Sequence, residues 1–250
     1  MFSKIIVEQN LIDLAITDTN LNIPCIIKVE SGNNFDEIFY RDEYEYHQRS
    51  YLGPISYEQQ QALSMLDQKS IFTVLDIGGG SGYIAQWLNK KKFEVTVCEI
   101  DAYALAICRG RGLNRLINDS YHMLNTSFDA AVMMGGSIGI TSPVEPEVAV
   151  RDCAMHLSQI VKSKGYILTD LSYYELPMFT DNHKYKVASV RLGIGDNWTD
   201  PSYHVYPHPT IFSSAMKEYG CELIQQSIID IGSHHESIQQ RLYSLWQRID

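Results

Sequence analysis

The segment Val74-Leu75-Asp76-Ile77-Gly78-Gly79-Gly80-Ser81-Gly82-Tyr83 constrains the fold of this chain more than any other part of it. An apolar run from Ile71 to Ile77 passes into glycines and then into helical spacing at Ile84, Trp87 and Leu88, with Lys90, Lys91 and Lys92 suited to a helix C-terminus. Such a run is what a strand covered on both faces of a parallel sheet requires. Glycines at the strand-to-helix junction let the chain turn tightly and let a ligand approach the backbone without interference from a Cβ.

The rhythm repeats downstream. Glu94 to Ile100 reads as a second strand, with Asp101 capping a helix over Ala102 to Cys108. Leu116-Ile117 stands at the place of a third strand, and Phe128 to Met134 is another buried one. The spacing predicts a helix over Val148 to Lys164, with Val150, Ala154, Leu157 and Val161 on one face and Lys162, Lys164 and Gly165 as its stop. Tyr166 to Leu171 is the next strand, and Ser172 to Pro209 reads as irregular. Thr210 to Tyr219 is a helix stopped by Gly220, and Cys221 to Ile231 and Leu242 to Ile249 are two closing strands. Alternating strands and helices argue for an α/β domain over residues 71–250.

Residues 1–70 do not follow that rhythm. Lys4 to Thr17 and Asn22 to Val29 alternate as strands do, whereas Asp36 to Tyr51 is charged, aromatic and expected to be helical. This is read as an accessory or lid segment that covers the open end of the sheet or joins a second copy of the chain as a homodimer. At 250 residues and 45% hydrophobic, the chain needs no disulfide or metal staple to fold. Its five cysteines are an odd number without a C-x-x-C pair, which suits a reducing, cytoplasmic setting. No stretch approaches the roughly 20 apolar residues of a membrane span. A net charge of −10 disfavours nucleic acid, whose affinity comes from Lys and Arg, and attracts small cations.

Two ligand classes use a glycine turn of this kind, dinucleotides and S-adenosylmethionine, and GSGYIA from Gly80 even satisfies a dinucleotide pattern. Asp76 separates them. Near a pyrophosphate its carboxylate would repel by roughly 4 kcal/mol for unit charges 4 Å apart at an effective dielectric of 20. The ammonium of S-adenosylmethionine would be attracted instead. Glu99, 17 positions after Gly82 at the end of the second strand, can accept from both ribose hydroxyls, a feature common to both classes. Asp119, in Asn118-Asp119-Ser120, can accept from an adenine amino group, and Gly135-Gly136-Ser137 gives backbone access after the fourth strand.

Taken in order, Asp76-x-Gly-Gly-Gly-x-Gly82, Glu99, Asp119 and the Phe128-Asp129 strand resemble a class I S-adenosylmethionine-dependent methyltransferase. The resemblance implies a Rossmann-like seven-stranded, mostly parallel sheet with helices on both faces and an antiparallel last strand. By position it implies that Gly78, Gly79, Gly80 and Gly82 hold the methionine moiety, Glu99 the ribose and Asp119 the adenine, with Asp76, Tyr83, Ser120 and Gly135 as further cofactor contacts. Met134-Gly135-Gly136-Ser137 lacks the Asn/Asp-Pro-Pro-aromatic motif of nucleic-acid base methyltransferases. Met133 and Met134 stand where catechol-type enzymes carry a metal-binding aspartate, so no magnesium is expected, and no metal site is expected in the chain.

Tyr51-Leu52-Gly53 followed by Tyr57 is similar to the lid of small-molecule N-methyltransferases. The 16 tyrosines cluster at Tyr40, Tyr44, Tyr46 and Tyr51, at Tyr173 and Tyr174 beside Asp170 and Glu175, and at Tyr203 and Tyr206, a composition suited to caging a small amine or guanidine. The expected reaction is methyl transfer to nitrogen of a small cationic metabolite, with Tyr51 and Tyr173 at the reacting centre and Tyr44, Tyr174, Glu175 and Tyr206 holding the acceptor. Methylation of a hydroxyl with His204 or His208 as base is the alternative. A nicotinamide-dependent oxidoreductase and a non-catalytic binding module also remain open.

Overall fold

Short apolar runs bounded by glycine and by helical spacing became strands and helices in turn. The computed structural model describes residues 25–31, 34–40, 55–67, 69–100, 102–135, 138, 140–141, 145–174, 185–194, 197–198, 202–234 and 237–250. Strands β1 (Cys25–Ser31) and β2 (Asn34–Tyr40) lead to helix α1 (Tyr57–Leu63). Then follow β3 (Thr73–Ile77), α2 (Tyr83–Lys90), β4 (Glu94–Cys98), α3 (Ala102–Gly110), β5 (Leu116–Ile117) and β6 (Phe128–Met133). The chain continues through β7 (Ile140–Thr141), α4 (Pro146–Gln159), β8 (Val161–Tyr174), β9 (Tyr185–Ile194), β10 (Asn197–Trp198) and β11 (Ser202–Pro207). It closes with α5 (Pro209–Glu218), β12 (Cys221–His234) and β13 (Ser237–Arg248).

One sheet has seven strands in the order β12-β13-β8-β6-β3-β4-β5. Strands β8, β6, β3, β4 and β5 run parallel, and β13 lies antiparallel to both β8 and β12. This is the expected mostly parallel sheet with an antiparallel last strand. Alternation within each strand splits the core between its two faces. Val74, Ala130, Val132, Leu168 and Leu245 pack with Ala85, Leu88 and Leu105 on one side. Leu75, Ile77, Ala131, Met133, Ile167 and Trp246 pack with Val150, Leu157, Phe212 and Met216 on the other. The buried Trp246 donates to Thr169 Oγ1 at 3.2 Å and meets Phe212 edge to face, so its polar tip and its ring are both satisfied.

Three expectations are corrected. Asp36–Tyr40 is strand, not helix, because Asn34–Tyr40 pairs antiparallel with Cys25–Ser31 in a hairpin. Ser172 to Pro209 is not irregular throughout, since β9, β10 and β11 form a six-stranded sheet with β1, β2 and β7. Helix α4 ends at Gln159 rather than Lys164, because Phe128 N–H donates to Ile160 O and Val161 already pairs with Phe128. Gly165 serves that strand junction instead, where an added Cβ would stand 2.7 Å from Lys162 O and 2.9 Å from Asp129 O. The expected strand at Lys4 to Thr17, the Asp101 cap and the continuation to Tyr51 lie outside the described residues.

Asp129 stands at the start of β6. It accepts from Phe72 N–H, Thr73 N–H, Thr73 Oγ1 and Lys162 Nζ, clamping the N-terminal ends of neighbouring strands. Partial burial alone would raise its pKa, but these hydrogen bonds outweigh it and hold the carboxyl below the usual range.

Candidate functional site

Ligands of open α/β sheets bind beyond the carboxyl ends of the parallel strands, and the glycine turn, Glu99, Asp119 and Gly135 all follow such ends. The turn from β3 into α2 is built by Gly78 N–H donating to Cys98 O at 2.8 Å and Gly82 N–H donating to Gly79 O at 2.9 Å. The glycines divide by task. A Cβ on Gly82 would come within 2.4 Å of Leu113 Cδ1, and one on Gly79 within 2.7 Å of Val97 Cγ1, so these two serve internal packing. A Cβ on Gly80 would meet nothing within 4 Å. Gly80 therefore leaves an open face beside the turn, as does Gly135, whose Cβ position is equally clear.

Asp76 lies beneath this turn, 1% exposed. Its carboxylate accepts from the backbone N–H of Ala85, in the first turn of α2, a capping bond that the N-cap Gly82 has no side chain to make. Oδ2 has no hydrogen-bond partner among the described residues and would lie 2.8 Å from a Cβ on Gly79. Burial first, and the charge of Glu99 second, push the Asp76 pKa up to about 7 against the lowering effect of the Ala85 bond. A buried carboxylate with an unsatisfied oxygen is uncommon enough to need a reason.

Glu99 is half-buried and its Oε2 accepts from Gly80 N–H at 3.0 Å, tying the end of β4 to the turn after β3. Asn118 Nδ2 donates to the carbonyls of Glu99 and Ile100, and Cys98 Sγ donates to Asp119 O. The exposed Asp119 accepts from Ser120 N–H at 2.7 Å. Burial above all pushes the thiols of Cys98 and Cys108 up to about 12, with Glu99, Asp119 and Asp76 adding to it at Cys98 and Asp76 and Glu99 at Cys108, which keeps both neutral. Tyr83 opens α2 with its ring 3.5 Å from the guanidinium carbon of Arg111, a stacking partner the sequence did not reveal.

Gly135 N–H donates to Asp170 Oδ2 at 3.0 Å, and the same oxygen takes Arg241 Nη1 at 2.9 Å. Asp170 is fully buried and positions the turn after β6 rather than facing an acceptor cage. Arg241 was not singled out in the sequence. Its signal was a lone arginine ahead of the apolar Leu242 to Trp246 stretch.

Tyr173 and Tyr174 end β8, opposite Gln240 and Gln239. Tyr206 is half-buried on β11, where it pairs with Lys186, and His204 pairs with Ala188 and Ile140. The pairing of β11 with β7 ties this strand to the segment that leaves β6. His208 is the N-cap of α5, with Nδ1 accepting from Thr210 N–H at 3.3 Å and 2.7 Å from Thr210 Oγ1. Tyr44, Tyr51 and Glu175 lie outside the described residues.

The sequence pattern of the methyltransferase small domain matches residues 59–133. No curated protein matches the sequence. Among solved structures, an S-adenosylmethionine-dependent methyltransferase from Bacteroides fragilis, in complex with S-adenosyl-L-homocysteine, is 18% identical at a TM-score of 0.68, covering 96% of this chain and 92% of that one. A SAM-bound amino pentose methyltransferase from Micromonospora echinaspora is 15% identical at 0.53, covering 85% and 99%. The N-methyltransferase NodS from Bradyrhizobium japonicum, with S-adenosyl-L-homocysteine, is 13% identical at 0.55, covering 77% and 86%. The fold of this chain is theirs.

Proposed function

We propose that this chain, with the fold of S-adenosylmethionine-dependent methyltransferases, binds that donor at the turn after β3 and transfers its methyl group to a nitrogen of a small, cationic amine or guanidine. One observation carries the reading: Asp76 and Glu99 bring two carboxylates to a glycine-built turn whose Gly80 face is open. Such a place repels a pyrophosphate and attracts an ammonium. The orphaned Asp76 Oδ2 fits the donor, since the ammonium of its methionine moiety, directly or through a water, supplies the missing hydrogen bond. When bound, S-adenosylmethionine supplies a methyl group made electrophilic by its sulfonium.

The residues of this chain then orient and exclude. Glu99 and Asp119 accept from the ribose and adenine edges, while Glu99 keeps the turn in shape through Gly80. Asp170 and Arg241 hold Gly135 at the end of β6, next to β3 in the sheet. Alignment of a neutral nucleophile accounts for roughly 7 to 11 kcal/mol of barrier lowering without an acid or base. An amine that arrives as a cation loses its proton to solvent before it attacks, and an aromatic ring such as that of the half-buried Tyr206 suits the cationic form. A structural neighbour described as an N-methyltransferase supports nitrogen as the acceptor. His208, whose Nδ1 caps α5, weakens the reading in which it is a base for a hydroxyl.

Incubation with isotope-labelled donor and parallel sets of small amines, guanidines and hydroxylated compounds, read by mass spectrometry, tests the assignment. Label on nitrogen is the expected result. Label confined to oxygen overturns the acceptor class, and calorimetric binding of NAD with none of S-adenosylmethionine overturns the donor.

A further inference from the structure

We propose that His122, Asp152 and His156 form a site for one divalent transition-metal ion of the zinc class, joining the turn after β5 to helix α4. Asp152 and His156 are four residues apart on α4 and so share one face of it, while His122 comes from the short 3₁₀ turn Tyr121–Met123. One ligand atom from each lies within 4.8 Å of the other two. His122 Nε2 is 3.1 Å from Asp152 Oδ2, and His156 Nδ1 is 3.3 Å from Asp152 Oδ1. Zinc bonds of about 2.0 to 2.1 Å at tetrahedral angles place ligand atoms roughly 3.4 Å apart, so both separations suit a common ion.

The surroundings support the same reading. Ser120 Oγ lies 2.8 Å from His122 Nδ1, which fixes the ring and directs Nε2 toward the cluster. His156 Nδ1 also lies 2.9 Å from the main-chain O of Asp152, a contact it gives up when it turns its lone pair to the ion. A hydroxyl on the far nitrogen, as Ser120 has at His122, is a usual support of a metal-bound imidazole. The two rings meet edge to face with centroids 4.5 Å apart, an arrangement in which two protonated imidazoles would repel. Two nitrogens and one carboxylate select zinc, nickel or copper over magnesium and calcium, which prefer oxygen. The sequence reading, which expected no metal in the chain, did not single out these three residues.

Zinc titration of the full chain, freed of metal by a chelator and competed against a chromophoric chelator, tests this without any measure of methyl transfer. One tight equivalent and a raised melting temperature are expected. The His122→Ala/His156→Ala variant should lose both effects, while His234→Ala/His235→Ala keeps them. No tight equivalent in the natural chain, or retention of it in the first variant, overturns the site. Should that variant fail to fold, Asp152→Asn must weaken zinc at least about tenfold, and unchanged affinity overturns the proposal equally.

Discussion

At the scale of single residues, Asp76 sets stability against binding. Its folded pKa of about 7 lies above the ordinary value near 3.9, so the folded chain holds this proton more tightly than the unfolded one. The stability this adds is full below about pH 4 and is lost as pH rises through about 7. Asp76→Asn cannot ionise yet keeps an oxygen for the Ala85 N–H. Without donor it should therefore melt above the natural chain at about pH 8 and show little gain at about pH 4, as scanning calorimetry at both values will report. Its affinity for S-adenosylmethionine should fall by roughly 1 to 3 kcal/mol, the worth of a hydrogen bond to a charged group. The glycines offer a second contrast. Gly82→Ala, at φ +80° with Leu113 and Cys108 in the way, should destabilise the fold. Gly80→Asn, at φ +51° with open space, should fold with a loss of about 1 to 2 kcal/mol and lose most donor affinity. Undiminished binding would reduce that turn to a structural one. Asp76, Glu99 and the glycines were legible because they sit in a local pattern. The link between Asp170 and Arg241 was not, since it spans 71 positions and only the folded sheet brings the two together.

At the scale of elements, the parallel strands could be read because burial on both faces makes each a nearly unbroken apolar run, as in TVLDI and FDAAVM. The second sheet escaped notice for the opposite reason. Strand β9, YKVASVRLGI, mixes charge into its alternation, and β1 finds its partner far away, with Cys25 opposite Ile194. Helix α4 was drawn too long because Val161 continues its apolar face although the strand with Phe128 claims it. Two clamps between elements can be tested. Asp129→Asn should lower stability by about 1.5 to 3 kcal/mol at neutral pH. Because the folded pKa is depressed, that contribution is present above about pH 4 and fades as pH falls, so urea midpoints of variant and natural chain should converge in acid. Arg241→Met removes the ion-pair partner of the fully buried Asp170 and should cost about 3 to 5 kcal/mol, most of it recovered by adding Asp170→Asn. Failure of the second change to restore stability would mean that packing, not charge, is what Arg241 provides.

For the whole molecule, the two sheets are separate in their hydrogen bonding but interleaved in sequence. The six-stranded sheet takes β1 and β2 from the N-terminal part, β7 from the segment after β6, and β9 to β11 from the stretch between β8 and α5. Among the described residues, no strand of the seven-stranded sheet, which carries Asp76, Glu99 and the Gly135 turn, comes from before residue 73. Removal of residues 1–40 should then leave that sheet its full set of strands while uncovering Ser189 to Ile194 of β9, which pair with β1 in the intact chain. Unpaired strand edges of this kind template association with further copies. The shortened chain should accordingly gain mass in light scattering while calorimetry finds its donor affinity unchanged. Loss of donor binding with mass unaltered would place the N-terminal segment inside the cofactor site and make the division between the two sheets one of connectivity alone.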